Sequence, residues 1–193
     1  MKRLSSLALV AGLVTTTAVL ATPPDSMLGN TCAGCHGTNG LSLSPMPRIA
    51  GFNEKYLVNT MKSYQSGERS STIMGRIAKA YTEEELVAMA KFFASQKWET
   101  PTQEVDAKLV EKGGKIHEEK CKACHQENGA TMNDSMPRIA GQWLRYLEII
   151  MDTYKDPERK MPENAMAKMM SMQMKVLEEE DISALAHFYA SQK

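Results

Sequence analysis

The sequence predicts an all-α fold that contains two similar units in tandem. Its residues are dominated by Ala, Leu, Met, Lys and Glu, and only 6% are aromatic, so the composition favours helix over strand. No segment shows the period-two alternation that is typical of a half-buried strand. Several blocks of the first half return in the second half, which indicates a duplicated helical domain.

The repeated blocks lie about 90 residues apart. Three of them match clearly: CAGCH at 32–36 with CKACH at 121–125, MPRIAGFNEKYL at 46–57 with MPRIAGQWLRYL at 136–147, and ELVAMAKFFASQK at 85–97 with DISALAHFYASQK at 181–193. The offset grows along the chain, as expected when loops between matching blocks gain residues.

These matches predict where the domains begin and end. We expect an N-terminal domain at 22–98, a polar and proline-containing linker at 99–106, and a C-terminal domain at 107–193.

Each unit is expected to contain three or four helices. The first leads into the paired cysteines, and the second carries apolar and aromatic residues at helical spacing until Gly67. The last begins at Thr82, whose spacing to Glu85 matches a capping box. A unit of roughly 80 residues with so little apolar material would have a thin core, which a bound prosthetic group would fill.

The N-terminal segment has the pattern of an export signal. Lys2 and Arg3 precede an uncharged, mostly apolar run, and Val19 and Ala21 form a small-residue cleavage site. A transmembrane anchor is the alternative, but the run is short and is interrupted by threonines. We predict that residues 1–21 are a cleaved signal peptide and that the chain acts in the periplasm, without stable insertion in a membrane.

The charge balance excludes one class of partner. Removal of Lys2 and Arg3 leaves 21 basic residues against 23 acidic residues. The sequence therefore has no basic face that would favour nucleic acid.

The repeated Cys-x-x-Cys-His motif predicts covalent attachment of haem c. Its cysteines lie one turn apart, where their sulfurs can form thioethers to the two vinyl groups of a haem, and the histidine then lies under the iron. The thioether residues are Cys32, Cys35, Cys121 and Cys124, and the iron-binding histidines are His36 and His125.

Three other uses of the cysteines are less consistent with the sequence. A thioredoxin-like pair would follow a strand, and no strand precedes either motif. A zinc site would require both repeats to converge on one metal. Two structural disulfides, Cys32 with Cys35 and Cys121 with Cys124, would leave the repeated histidine unexplained.

Methionine is the expected sixth ligand of each iron. Met74 lies before the last helix of the first unit, whereas Met61 and Met89 fall at helical spacing and are expected in the core. In the second unit the methionine-rich segment at 161–174 offers three choices: Met166 is our first, with Met170 and Met161 as alternatives. A thioether favours ferrous iron and raises the reduction potential.

Residues of the repeated PRIAG and YL blocks are expected around the haem. Proline carbonyls would accept the ring N–H of each axial histidine. The arginines would pair with haem propionates or lie solvated in turns, and the tyrosines would reach the propionates or pack at the interface. The residues are Pro47 and Pro137, Arg48 and Arg138, and Tyr56 and Tyr146. His117 and His187 are expected to be surface or packed residues and not iron ligands.

The sequence resembles the dihaem cytochrome c4 family across nearly the whole mature chain. This resemblance is carried by the two Cys-x-x-Cys-His motifs, the PRIAG and YL blocks, and the terminal FFASQK and FYASQK. Within that family, the sequence is most similar to the cytochrome subunit of flavocytochrome c sulfide dehydrogenase, in the segments STIMGRIAKAY, AGQWLRYL and FYASQK. The resemblance implies two class I cytochrome c domains related by a pseudo-twofold axis, with two covalently bound haem c groups that face each other, each with His and Met ligands.

The function implied by this resemblance is single-electron transfer. An FAD-containing flavoprotein that oxidises sulfide would deliver electrons to one haem, and a soluble acceptor such as a small cytochrome c would receive them from the other. No substrate catalysis is then expected on this chain. The alternatives are a free-standing carrier to a terminal oxidase, a dihaem peroxidase and a haem-based sensor; the last two need an open or exchangeable iron site, which the candidate methionines argue against.

Overall fold

The computed structural model describes residues 24–43 and 45–193, so the predicted signal peptide lies outside the described residues. Those residues contain helices and no strand, which agrees with the predicted all-α fold. The α-helices are α1 (Asp25–Asn30), α2 (Ala33–His36), α3 (Glu54–Ser66), α4 (Met74–Ala78), α5 (Glu83–Ala94), α6 (Ala107–Ile116), α7 (Gln126–Gly129), α8 (Leu144–Lys155), α9 (Ala165–Lys175) and α10 (Glu179–Ser191). A short 3₁₀ helix at Thr38–Gly40 and a π-helical turn at His117–Cys121 complete the set.

Each unit is built around the crossing of its first and last helices. In the first unit α1 lies against α5, and a Cβ atom added to Gly29 would come 2.1 Å from the ring of Phe92. In the second unit α6 lies against α10, and a Cβ atom added to Gly113 would come 2.1 Å from the carbonyl oxygen of Ala184. A glycine therefore permits the close approach of the two helices in both units.

The predicted helix boundaries of the first unit are confirmed. Asn53 accepts a hydrogen bond from the backbone of Tyr56 at the start of α3, and Gly67 ends the helix in the left-handed conformation with φ of 80°. Thr82 and Glu85 form the predicted capping box at the start of α5.

In each unit the glycine of the PRIAG block makes the same hydrogen bond to the last helix. Gly51 donates its N–H to the carbonyl of Phe93, and Gly141 donates to the carbonyl of Tyr189, both at 2.8 Å. Both glycines have a positive φ, of 66° and 70°. The repeated glycine is explained by this left-handed backbone, which other residues rarely adopt.

The apolar core differs between the units. The second unit has one continuous cluster of buried residues, centred on α10 with Leu185 and Tyr189. The first unit has two smaller clusters, one around Leu86 and one around Phe93. The first unit therefore shows more clearly the thin core expected of a domain that binds a large prosthetic group.

Several polar contacts join the two units. The buried Gln142 amide accepts from the backbone N–H of Arg48 at 3.1 Å and donates to its carbonyl at 2.6 Å. Ser70 donates its N–H to the Lys160 carbonyl at 2.8 Å, and Lys160 donates its N–H to the Ser70 hydroxyl at 2.9 Å. Since Ser70 and Lys160 occupy equivalent repeat positions, their mutual contact is the kind that a pseudo-twofold relation produces.

The segment between the units is held in place by side-chain hydrogen bonds. Gln103 donates to the carbonyls of Gln142 and Ala190 and accepts from the N–H of Leu144. His187 accepts from the N–H of Asp106, which caps α6. His187 thus has a packing role.

None of the helices in the described ranges has the length and apolar character needed to cross a bilayer.

Candidate cofactor sites

The two Cys-x-x-Cys-His segments form tight turns that bring their side chains together. In the first unit Cys32 accepts through its carbonyl from the N–H of Cys35 at 3.2 Å and of His36 at 2.9 Å. In the second unit Cys121 accepts in the same way from Cys124 at 3.1 Å and from His125 at 2.9 Å. This turn keeps the two cysteines and the histidine of each motif within one helical turn.

The four cysteines are free thiols. Within the described part of the chain, no three His, Cys, Asp or Glu side chains form a group that could hold a metal ion. The thiols are therefore available for thioether bonds.

Burial sets the protonation of the motif side chains. It raises the pKa of the Cys32 and Cys121 thiols above the usual range for cysteine. It also lowers the pKa of His36, and, with a smaller contribution from the charge of His117, lowers the pKa of His125 to about 4. Both imidazoles are therefore neutral near pH 7, which is the form that binds iron.

The first histidine has the orientation that the sequence predicted. His36 Nδ1 lies 2.9 Å from the carbonyl oxygen of Pro47. An N–H on Nδ1 donates to that oxygen, so Nε2 keeps its lone pair for a metal.

The corresponding bond is not made in the second unit, where the prediction for Pro137 differs from the structure. His125 Nδ1 is buried without a hydrogen-bond partner. The two histidines also differ in backbone conformation: His36 lies within α2, whereas His125 has φ of −92° and ψ of 63° and lies just before α7.

A buried histidine lies beside the second motif. His117 is 1% exposed; its Nδ1 lies 3.0 Å from the hydroxyl of Tyr189, its ring packs on Phe188, and its Nε2 has no partner. The repeat alignment places it opposite Leu28, a buried apolar residue of the first unit. That alignment was the signal for its burial, because a histidine stands where the other repeat has a core leucine.

The candidate methionines lie at equivalent places. Met74 is the first residue of α4 and Met166 is the second residue of α9. In the rest of α9, Met174 is in the core, Met170 packs against it, and Met169 and Met172 are exposed. Met170 thus contacts the core cluster, and the choice of the iron ligand among Met166, Met170 and Met161 stays a prediction.

Arg48 and Arg138 contact backbone carbonyls and tryptophan rings, and their pairing with haem propionates stays a prediction. Arg48 donates to the carbonyls of Ser42 and Glu99 and lies 5.5 Å from the ring centre of Trp143. Arg138 donates to the carbonyl of Ala140 and lies 5.2 Å from the ring centre of Trp98. The Arg138 guanidinium thus holds its own PRIAG backbone, the Arg48 guanidinium joins Ser42 to Glu99, and both lie over tryptophan rings at the boundary between the units.

Tyr56 and Tyr146 do lie at this boundary, but they surround an arginine that sequence reasoning missed. Arg69 is 8% exposed and interacts electrostatically with both tyrosines, as well as with Tyr64 and Tyr154. Arg69 has an equivalent in the second repeat, Arg159, so the repeat pattern alone does not distinguish the buried arginine from the exposed one.

These residues fit haem c. Each unit offers two thiols and a neutral imidazole in one motif together with a candidate methionine, and in the first unit the Pro47 contact at Nδ1 leaves His36 Nε2 to bind iron. Sulfur and imidazole are the ligands that iron porphyrins accept from proteins.

The family model of cytochrome c matches the chain twice, over residues 26–97 and 110–193. The chain belongs to the cytochrome c family. The two matches cover both helical units, so the protein is a dihaem cytochrome with two covalently bound haem c groups.

Three relatives carry informative names. The thiosulfate dehydrogenase electron acceptor of Stutzerimonas stutzeri is 29% identical over 83% of this chain and 78% of its own length. Cytochrome c4 of Pseudomonas aeruginosa is 28% identical over 81% of each chain. The cytochrome subunit of sulfide dehydrogenase from Chlorobaculum tepidum is 44% identical, but only over 36% of this chain and 63% of that subunit.

A solved structure shows the same arrangement of two domains. Reduced cytochrome c4 from Pseudomonas stutzeri superposes with a TM-score of 0.76 and 24% identity, over 88% of this chain and all of that chain. Together with the cytochrome c4 relatives, this match confirms the predicted resemblance to the dihaem cytochrome c4 family and the tandem all-α fold.

Proposed function

We propose that this dihaem electron carrier is the electron-accepting cytochrome subunit of a flavoprotein sulfide dehydrogenase in the periplasm. Electrons would leave the flavin of a separate subunit singly, pass between the two units, and leave to a soluble acceptor such as a small cytochrome c. The observation that carries the proposal is the 44% identity to a sulfide dehydrogenase subunit over a 69-residue stretch, which exceeds the 29% identity to the thiosulfate dehydrogenase electron acceptor over 171 residues.

In this proposal Cys32 and Cys35 hold the first haem, and Cys121 and Cys124 hold the second. His36 with Met74, and His125 with Met166, are the axial pairs. When bound, haem c supplies one-electron chemistry. The Pro47 carbonyl fixes the His36 tautomer, while the turn of the second motif leaves His125 without such a partner.

The contacts between the units support electron transfer within one chain. Gln142 bonds both backbone polar groups of Arg48, and Gln103 ties the connecting segment to both α8 and the end of α10. These bonds hold the units at a fixed separation, so the transfer between haems needs no diffusional encounter. The predicted domains at 22–98 and 107–193, joined by a linker at 99–106, are part of this proposal.

The experiment is to purify the tagged chain with its bound partners from cells that make it. Haem and flavin are quantified per chain, and haem reduction is then followed after addition of sulfide or thiosulfate. A chain in which all four cysteines are replaced by alanine controls for proteins retained by the tag. We expect equimolar flavin and reduction of both haems by sulfide.

A second candidate is an electron acceptor for thiosulfate dehydrogenase, favoured by the relative that matches 83% of this chain. Reduction by thiosulfate without co-purified flavin would support that candidate and contradict the sulfide proposal. A chain that purifies without flavin and responds to neither compound would instead be a free-standing cytochrome c4 carrier.

A further inference from the structure

The second unit contains a buried polar pair where the first unit has two apolar residues. His117 is 1% exposed and Tyr189 is 2% exposed, and the repeat places them opposite Leu28 and Phe93. The two members of the pair are 72 residues apart in the chain but in contact in the fold, so the two replacements are coupled. Neither residue belongs to the proposed iron ligands or thioether residues.

The pair is joined by a hydrogen bond and by ring contacts. His117 Nδ1 lies 3.0 Å from the Tyr189 hydroxyl oxygen, and the two ring centres are 5.5 Å apart in an edge-to-face arrangement. The imidazole also packs on Phe188, at 5.1 Å between ring centres. Contacts with two consecutive residues of α10 therefore fix the imidazole.

The Tyr189 hydroxyl also contacts the first cysteine of the second motif. Burial raises the pKa of the Cys121 thiol, and a hydrogen bond from Tyr189 offsets part of that rise. Burial, together with the contact with Cys121, raises the pKa of Tyr189. These opposite effects identify the hydroxyl as the donor and the sulfur as the acceptor, because a hydrogen bond stabilises the protonated donor and the deprotonated acceptor.

The single hydroxyl hydrogen of Tyr189 fixes the direction of the other bond. Since this hydrogen is donated to the Cys121 sulfur, the N–H on His117 Nδ1 is donated to the Tyr189 oxygen. Burial lowers the pKa of His117, so the ring is neutral and carries this one N–H. Nε2, which has no hydrogen-bond partner, then keeps its lone pair. The N–H and O–H dipoles therefore form a chain whose positive end lies at the sulfur.

The equivalent cysteine of the first unit has an apolar environment. Cys32 packs against the clusters that contain Leu28 and Phe93, and its thiol lies 3.9 Å from the sulfur of Met89. The hydroxyl of the adjacent Thr31 lies 3.8 Å from the Cys32 sulfur, but it donates its hydrogen to the Leu28 carbonyl at 2.7 Å. The two units thus differ in the hydrogen bonding of the first cysteine of the motif.

We propose that His117 is a positioning residue that holds the Tyr189 hydroxyl towards the Cys121 sulfur, and that this hydrogen bond raises the reduction potential of the second haem. The inference rests on haem attachment at Cys121, which belongs to the proposed function, but not on the identity of the redox partner. A thioether sulfur is still a weak acceptor of a hydrogen bond. Partial positive charge at a sulfur bonded to the haem favours the ferrous state, because that state carries one positive charge fewer than the ferric state.

Single substitutions that restore the residues of the first unit test this inference. Tyr189→Phe removes the hydroxyl and should lower one of the two midpoint potentials in a spectroelectrochemical titration, while the other keeps its parental value. His117→Leu should lower the same potential, because the hydroxyl loses the partner that orients it. His187→Gln is the control and should leave both potentials unchanged, since His187 bonds the N–H of Asp106. Parental potentials in Tyr189→Phe, or equal falls for both haems, would overturn the proposal.

The double variant His117→Leu/Tyr189→Phe distinguishes a coupled pair from two independent effects. It should lower the potential by no more than Tyr189→Phe alone, because His117 acts through the hydroxyl. A shift equal to the sum of the two single shifts would overturn the positioning role.

Urea unfolding gives an independent readout of the hydrogen bond. Tyr189→Phe should unfold at a lower urea concentration than the parent, because it leaves both ring nitrogens of the buried His117 without a partner. The double variant should unfold at a higher concentration than Tyr189→Phe, because it also removes that imidazole. The reverse order of these two variants would overturn the hydrogen bond.

Attachment at Cys121 is tested separately on the parental protein. The pyridine haemochrome spectrum distinguishes haems bound through two thioethers from haems bound through one. A spectrum with two thioethers per haem, together with unchanged potentials in Tyr189→Phe, would overturn this inference alone. A contribution from haem with one thioether would overturn attachment at Cys121 and this inference with it. None of these measurements needs the flavoprotein, so failure of the sulfide assignment would leave them unaffected.

Discussion

The two units share one attachment motif but support it differently. In the first unit His36 bonds the Pro47 carbonyl, the preceding helix has six residues, and Leu28 packs beside the motif. In the second unit a ten-residue helix and a π-helical turn precede the motif, the histidine lacks a ring partner, and His117 replaces the leucine. The comparison teaches that the motif turn is encoded locally, whereas the orientation of its histidine depends on residues elsewhere.

The largest expected effect comes from removing one pair of thiols. Cys32→Ala with Cys35→Ala should reduce covalent haem from two groups per chain to one, and Cys121→Ala with Cys124→Ala should do the same for the other unit. Each haem completes the core of its own unit, so loss of helical signal should be confined to one unit. Intact-mass spectrometry and circular dichroism measure both effects; two covalent haems in either double variant would contradict the assignment.

The second effect concerns the sixth ligand. Met74→Leu and Met166→Leu should each remove about half of the methionine-to-iron charge-transfer absorbance and lower one midpoint potential, because leucine fills the space without a sulfur ligand. Met170→Leu is the control and should leave the absorbance unchanged, since Met170 packs against the core. Loss of the band in Met170→Leu instead of Met166→Leu would transfer the ligand assignment to Met170.

A third prediction tests the helix crossing of the second unit. Gly113→Ala should destabilise the protein by about 2–3 kcal/mol, because its Cβ would overlap the Ala184 backbone. Gly114→Ala is the matched control: its Cβ would lie 3.4 Å from Phe188, an ordinary contact, so the change should stabilise the helix by up to about 1 kcal/mol. Urea unfolding measures both variants, and similar free energies of unfolding for the two would contradict the close packing.

The smallest expected effect concerns the ion pair between the two crossing helices of each unit. The acid and the base are on opposite helices in the two units. In the first unit an acid on α1 (Asp25) meets a base on α5 (Lys91), and in the second a base on α6 (Lys112) meets an acid on α10 (Asp181). The Lys112 hydrogen bond lowers the pKa of Asp181. Because the folded pKa lies below the unfolded one, this stabilisation is present above the unfolded pKa, near 3.9, and is lost as pH falls through the folded value.

Asp181→Asn should therefore be slightly less stable than the parent at pH 7 and should approach it at lower pH, as measured by urea unfolding. A difference that stays constant down to pH 2 would show that the carboxylate charge is not involved.

The fold was largely predictable from the sequence because its determinants are local. Thr82 and Glu85 specify a helix start within four residues, Gly67 specifies a helix end, and the duplicated blocks reveal two units. The attachment turns were predictable for the same reason.

The surroundings of the haem sites were less predictable because they depend on tertiary contacts. The contact of Arg48 with the Trp143 ring joins residues 95 positions apart, and no local pattern around Arg48 indicates it. The missing partner of His125 Nδ1 could not be predicted, because the PRIAG block around Pro137 is identical to the one around Pro47. Burial of Arg69 instead of Arg159 could not be predicted, because the two segments are similar.

The two hydrogen bonds between Ser70 and Lys160 have a consequence for the evolution of the two units. A contact between equivalent positions is the contact that two identical subunits make across a symmetry axis. In a homodimer every substitution appears on both sides of that axis. In a single chain that carries both copies, the equivalent residues can differ: Arg69 is buried, whereas Arg159 lies at the surface. Fusion of the copies therefore allows an asymmetry that a homodimer cannot encode.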